Sequence, residues 1–324
     1  MNKLFRLIPL CVVLLFASCS TDVDNYADYK DITVVYGLLE SSSDTTWIKI
    51  NKAFLGPGNA LIIAKDPDSS NYQTKLDARL IGRRGSTDLP VIMLDTITIQ
   101  NKLPGDSIFY FPNQLMYYAT TQLDPAATYR LEIARGTEII QAETNIVRDF
   151  PINLPVNRIN FHLTSGGRVT WNSAVNGKRY EVRLLFHYRE LRPNSPDTTS
   201  HTLNWRLGTY TSNTLQGGEG MEALYIGDDF YSRLGAQLEN ILNVKRWAGP
   251  VDVVIATAAD DLNTYIEVNA PSNSIIQEVP EFTNIENGVG IFSSRYTKIK
   301  RLQLSVGSEI KLVEDYNWGF IVNR

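Results

Sequence analysis

The chain has 324 residues, 43% of them hydrophobic, and a formal net charge of −4. That length suits two domains with sizeable buried cores. The mildly acidic balance lacks the clustered positive charge that nucleic-acid binding needs, and no second long apolar run exists to predict a transmembrane helix.

The amino terminus decides placement. Lys3 and Arg6 precede an apolar run from Leu7 to Ala17, the length of a signal-peptide core and too short to span a bilayer. Ala17 and Ser18 stand directly before Cys19, so residues 14–19 resemble a lipobox, with Phe16 where that box usually carries Leu. Cleavage there makes residues 1–18 the lipoprotein signal peptide and Cys19 the lipidation site. Removing Lys3 and Arg6 moves the formal charge from −4 to −6. The only other cysteine, Cys11, lies in the signal peptide, so the predicted mature chain has no disulfide and no free thiol for catalysis or metal binding. Residues 19–31 read as a lipidated tether. Asp22 and Asp24, just after Cys19, resemble the surface-export signal of Bacteroidota lipoproteins.

A first domain is expected over residues 32–148. Ile32–Leu39 is rich in β-branched and aromatic residues and reads as a strand, and residues 45–54 alternate apolar with polar as a half-buried strand does. Gly56 to Asn59 breaks the pattern, and residues 61–65 read as short and helical or irregular. Further strands are predicted at residues 75–81, 95–100, 108–111, 128–134 and 137–144, a spacing that suggests a β-sandwich. In Leu123-Asp124-Pro125-Ala126-Ala127-Thr128-Tyr129, the tyrosine resembles the corner tyrosine of an immunoglobulin or fibronectin type III-like sandwich, whose hydroxyl returns to upstream backbone.

The second domain, residues 149–324, follows a proline-bearing joint at Phe150-Pro151. Trp171 on one strand and Tyr180-Glu181-Val182-Arg183-Leu184 on the next predict another fibronectin-like sandwich, with Trp171 in its core. Residues 201–207 read as a strand, and Gly208–Gly220 as a mobile loop suited to partner contact. Helices are expected over residues 226–242, where Phe230, Leu234, Leu238 and Ile241 or Leu242 recur at helical spacing, and over residues 260–268. Residues 251–256 and 293–306 read as strands, and Ile310–Val313 as a short one. The predicted fold is mainly β: two immunoglobulin/fibronectin III-like sandwiches, the second with helical insertions.

Pro280-Glu281-Phe282-Thr283-Asn284-Ile285-Glu286-Asn287-Gly288-Val289-Gly290-Ile291-Phe292 resembles the late motif of a family of uncharacterised Bacteroidota outer-membrane lipoproteins, which begin with a lipobox and a first strand like Val34 to Leu38. By itself Asn287-Gly288 is a turn dipeptide, and the motif reads as a structural turn docking the last strand. The resemblance implies an accessory lipoprotein beside a TonB-dependent transporter.

Few residues suggest catalysis. His162, His187 and His201 are the only histidines, and none has metal-ligand spacing. No Gly-x-Ser-x-Gly elbow, P-loop or dinucleotide fingerprint occurs, and Gly217-Gly218-Glu219-Gly220 lacks the lysine a phosphate cradle uses. Asp66, Asp68, Ser70 and Asp77 faintly resemble a calcium loop, but Pro67 and Asn71 oppose it. Asp228-Asp229 and Asp260-Asp261 suit helix starts better than glycosidase carboxylates. The expectation is therefore a non-catalytic interaction module without cofactor or metal. It would sit on the outer membrane through lipid on Cys19, facing the cell surface, with a transporter and a peptide or glycan ligand as partners. A glycan-binding or adhesive module remains open as the alternative and predicts a flat exposed pair of aromatics. A secreted hydrolase remains third and predicts a His converging with carboxylates in a concave site.

Overall fold

Alternation of β-branched and polar residues builds most of the molecule. In the computed structural model, which describes residues 30–55, 60–64, 66–100, 113–162, 166–270 and 281–322, the chain is mainly β, with several sheets. Cys19, the tether up to Tyr29, the break at Gly56 to Asn59 and the strand predicted at residues 108–111 lie outside the described residues.

The amino-terminal half supplies β1 (Lys30–Leu39), β2 (Thr45–Leu55), β3 (Asp77–Arg84), β4 (Thr87–Asp88), β5 (Ile92–Met93), β6 (Asp95–Ile99), β7 (Gln114–Thr120), β8 (Thr128–Arg135) and β9 (Glu138–Asn145). Four-residue helical turns occupy Ala60–Ile63 and Pro67–Ser70. The carboxy-terminal half supplies β10 (Ile152–Leu154), β11 (Arg158–Ile159), β12 (Gly167–Asn172), β13 (Arg179–Leu191), β14 (Thr199–Thr211), β15 (Gly220–Tyr225), β16 (Lys245–Ala258), β17 (Gly288–Leu304) and β18 (Phe320–Ile321). Its helices are α1 (Gly227–Gln237), α2 (Asp260–Val268) and α3 (Val306–Glu314).

One sheet runs through both halves in the order β14-β13-β16-β17-β1-β2-β7-β6. The join is made by β17. Its first seven residues, Gly288 to Ser294, lie parallel to Thr33 to Leu39 of β1. Its next eight, Arg295 to Leu302, run antiparallel to Ala258 to Val251 of β16. A single strand thus changes partner without leaving the sheet.

Each half of this sheet has its own core. Val35, Ile48, Ile50 and Tyr117 from the long sheet meet Leu80, Leu131, Ile133 and Ile140 from the sheet β4-β3-β8-β9. In the second half, Val182, Leu184, Val253 and Leu302 meet Val169, Trp171 and Ala223 from the sheet β10-β12-β15, with Phe230 and Leu234 of α1 packed in. Side chains alternate across a strand, so each face pairs one hydrophobic layer with another. Each fully buried large apolar side chain contributes about 1.5–3 kcal/mol. The cores part between Ile146 and Val147, but Ile285 and Phe292, far downstream, pack in the first.

The same tyrosine device closes both. The Asp124 N–H donates to the Tyr129 hydroxyl at 2.8 Å. The Ala174 N–H donates to the Tyr180 hydroxyl at 2.7 Å, and that hydroxyl donates to the Gly177 carbonyl at 3.2 Å. Burial pushes the Tyr180 phenol up to about 12.

Three expectations need correction. Ile310–Val313 is part of helix α3, not a strand: the Ser305 side chain caps the Ser308 N–H, and Ser308 and Leu312 are buried one turn apart. A four-residue apolar run cannot by itself distinguish strand from helix. The helix read to residue 242 ends at Gln237, because Leu238 turns to extended backbone and leaves Leu242 82% exposed. Gly208 to Thr211 continue β14 instead of opening a loop. The rest of that segment is tied down by Asn176 N–H to the Leu215 carbonyl and Ser173 N–H to the Glu219 carbonyl, at 2.8 and 2.7 Å.

Candidate functional site

Alternation that sends Val35, Leu39, Ile48 and Ile50 inward sends Tyr36, Leu38, Trp47 and Lys49 to the outer face of the first half-sheet. Met116 and Tyr118 of β7 and Ile291 of β17 share that side by the same alternation. Helix α2 stands against this face, presenting Leu262, Tyr265 and Ile266. Between sheet and helix lies a groove of about 510 Å³, with Glu40, Ser43, Thr45 and Arg295 at its rim. Its size falls within the range of small-molecule sites.

The groove is aromatic. Trp47 directly opposes Tyr118 across β2 and β7, with rings stacked at 5.4 Å and 28°. Trp47 is nevertheless 42% exposed and Tyr36 44%. Tyr36 meets Tyr265 of α2 edge-on at 6.5 Å. Burial, aided by the Tyr36 hydroxyl, pushes the Tyr265 phenol up to about 12. At the rim, Glu40 pairs with Arg295 at 3.1 Å and accepts the Thr297 N–H at 3.0 Å, so the cation already has a partner.

The late motif builds this wall. The Asn284 side chain accepts the Phe292 N–H at 2.9 Å, donates to the Phe292 carbonyl at 2.7 Å and donates to Asp261 of α2 at 3.0 Å. One amide therefore fixes both β17 and the helix. Asn287 takes a left-handed φ of 60° and its side chain donates to the Ile139 carbonyl. At Gly290, φ is 115° and a Cβ would lie 2.1 Å from the Val35 carbonyl oxygen, so only glycine lets β17 approach β1 there.

The other candidate residues are dispersed. Thr202, His187, Asp252 and Arg301 form one row across β14, β13, β16 and β17. His187 Nδ1 and Nε2 each lie 2.9 Å from Thr202 Oγ1 and Asp252 Oδ2, and Arg301 donates twice to Asp252 at 2.8 Å. The Arg301 hydrogen bond holds the Asp252 carboxyl below its usual range. The carboxylate is thus committed to Arg301, and the row reads as a cross-strand polar ladder. His201 stacks on Tyr188, and His162 contacts Asn160. Asp66 precedes the turn at Pro67–Ser70 and accepts the N–H of Asp68 within it. Among the described residues no three His, Cys, Asp or Glu side chains are grouped to hold a metal. Asp228 pairs with Lys311 at 3.0 Å, and Asp261 holds Asn284.

The tryptophans divide sharply. Trp171 and Trp205 are core residues, and Trp318 stacks on Tyr316 at 4.0 Å. Arg189 lies over Trp247. Trp47 alone among the five is an exposed large hydrophobic. Its phase was visible in the sequence, because it shares a period-two face with Thr45, Lys49 and Asn51. Tyr36 and Tyr265, remote in sequence, carried no such signal of meeting.

No protein-family model matches the sequence, and no curated protein is similar to it. Among the described residues no helix is long and apolar enough to cross a membrane.

Proposed function

We propose that the chain is a non-catalytic, surface-exposed outer-membrane lipoprotein, anchored through lipid on Cys19, that acts as an interaction module accessory to a TonB-dependent transporter. Its contact face is the groove between the first half-sheet and α2. The carrying observation is Trp47, stacked on Tyr118 yet 42% exposed in a groove with two further tyrosines. An exposed aromatic cluster in a concave site is where binding energy concentrates. The contact thus moves from the segment 208–220, which is tied down, to the groove. The placement rests on the lipobox-like residues 14–19 and the resemblance of the late motif. We read each half as an immunoglobulin/fibronectin III-like sandwich, a reading supported by the paired tyrosine corners at Tyr129 and Tyr180.

The test is crosslinking in intact outer membranes, followed by detergent solubilisation, capture of the native protein and mass spectrometry. Stoichiometric recovery of a TonB-dependent barrel is expected, lost in Cys19→Ala and reduced at least fivefold in Trp47→Ala. Recovery of the protein alone, at full expression, contradicts the transporter reading.

A further inference from the structure

We infer that two copies of the chain pair antiparallel along the edge of β14, with Thr202 of one copy facing Thr202 of the other across a twofold axis. This contact lies at the end of the long sheet away from the groove. Its grounds are an open edge, the lack of any guard on it, and a sequence that complements itself.

β14 ends the long sheet. It runs 13 residues from Thr199 to Thr211 and pairs with β13 along one side. Among the described residues no strand pairs with its other side. Leu203 and Trp205 anchor it in the second core, while Ser200, Thr202 and Asn204 are exposed. Among the described residues, the one side-chain donor to the backbone of residues 199–205 is Gln237 of α1, 3.3 Å from the Thr202 carbonyl. A row of backbone N–H and C=O groups is therefore held in place and open to a further strand.

Short length, charge, proline and bulges are the devices that keep edges from pairing. The other edges use them. β6 has five residues and begins at Asp95, paired with Lys75; β4 and β5 have two residues each and β10 has three. β15 carries Glu222, paired with Arg168, and β9 carries Glu138 and Glu143 and is bridged at Gln141 by Glu286. Where β2 runs on past β7, it carries Lys49 and Lys52, and Asn51 ties it to the turn at Ser70. β14 differs. Thr199 to Trp205 holds no Asp, Glu, Lys, Arg, Pro or Gly, and the bulge of this strand lies beyond, at Leu207. That unguarded stretch is about 23 Å long.

The stretch complements itself. Antiparallel pairing centred on Thr202 sets Ser200 opposite Asn204, His201 opposite Leu203 and Thr199 opposite Trp205, and each Thr202 opposite its own copy. Neutral hydroxyl and amide pairs of this kind favour cross-strand pairing. Charge fixes the direction. Asp197 precedes the stretch and Arg206 follows it. Antiparallel overlay brings the guanidinium at the end of one copy towards the carboxylate at the start of the other, at both ends of the contact, whereas parallel overlay sets like charges together. Arg206 spends Nε on Glu181 at 3.2 Å and Nη2 on Thr209 at 2.7 Å, which leaves the Nη1 donors for Asp197 of the second copy. The contact is small, so the dimer is reversible.

The experiment is sedimentation velocity on the full mature chain, residues 19–324 with Cys19→Ala. A concentration-dependent monomer–dimer equilibrium is expected. Thr202→Lys and Thr202→Asp each set like charges face to face at the twofold axis and should weaken it at least tenfold. Mixing the two variants should restore a dimer, a result that misfolding of either variant cannot produce. Trp47→Ala, in the groove, should leave the equilibrium within twofold of the parent. Cysteine crosslinking fixes the register in the same background, because the other cysteine, Cys11, leaves with the signal peptide. Directly opposed residues lie at disulfide distance, so Thr202→Cys should oxidise to a covalent dimer. Asn204→Cys, about 13 Å from its own copy in this pairing, should yield at least tenfold less. A chain that stays monomeric overturns the inference, including one whose Thr202→Cys variant captures a foreign segment in outer membranes. So does a dimer that both charged variants leave intact, a mixture that fails to restore the dimer, or equal crosslinking through residues 202 and 204.

Discussion

The two halves of the long sheet are built alike on the inside and differently on the outside. Inward positions are mostly apolar in both, the buried Arg246–Glu190 pair of the second half being a charged exception, and a tyrosine hydroxyl closes each core. Outward, the first half presents Trp47 and Tyr36 in the groove beside α2, with Tyr118 stacked on Trp47, whereas the second presents the ladder Thr202, His187, Asp252 and Arg301. Arg206 and Arg183 add to that second face through Glu181. The inward alternation makes the fold. The outward positions, free of that demand, carry the chemistry. Polar side chains that satisfy one another leave little for a ligand, while Trp47 and Tyr36 keep 42% and 44% of their surface exposed.

Substitutions sharpen this contrast. The largest effect is expected in the second half. Arg246 and Glu190 are 2% and 3% exposed and pair at 2.8 Å. Arg246→Ala leaves the buried Glu190 carboxylate with only Arg192, at 2.8 Å, and the Trp318 and Glu239 carbonyls without their guanidinium donor; it should cost about 3 kcal/mol, read as a shift in the urea midpoint, without changing the aromatic groove.

Asn284→Ala tests the first half. It strands the Phe292 N–H and unties α2 from β17. A loss of about 1–3 kcal/mol is expected, together with faster amide hydrogen exchange in residues 260–268. Unchanged exchange there would remove Asn284 as the helix anchor.

Removing the tyrosine hydroxyls compares the two corners directly. The Ala174 N–H is buried and the Asp124 N–H only partly so. Tyr180→Phe should therefore cost about 1–2 kcal/mol and Tyr129→Phe about 1 kcal/mol. Equal costs would show that burial of the donor does not matter at these turns.

The smallest effect concerns acid. Arg301 lowers the Asp252 pKa in the folded state, so Asp252 adds stability that is present above the unfolded carboxylate value of about 3.9 and lost as pH falls through its folded value. Asp252→Asn should flatten the stability profile below about pH 4 and leave it parallel to wild type above about pH 5. An identical acid slope in both proteins would remove the ladder from the acid response.

Much of the fold was legible because period-two alternation reports which face a residue takes. Tyr129, Trp171 and the strand around Tyr180 took the places their patterns predict, and α2 spans Asp260–Val268 as its spacing indicated. Alternation does not report partners. Nothing local in Gly288 to Leu304 shows that one strand pairs with β1 and then with β16, or that Phe292 fills the first core. The site was half legible: Trp47 shares its face with polar neighbours, but Tyr265 reaches it only through the long-range docking of α2. The late motif read as a structural turn, and Asn284 and Gly290 give that reading its physical cause.

The most direct test of the account compares the two outer faces in one capture experiment. The protein is crosslinked in intact outer membranes as wild type, as the groove variant Trp47→Ala and as the ladder variant Arg301→Ala, and recovered partners are quantified. The account predicts at least a fivefold loss of barrel partner for Trp47→Ala and less than a twofold change for Arg301→Ala. Loss on the ladder variant with full recovery on the groove variant would contradict it.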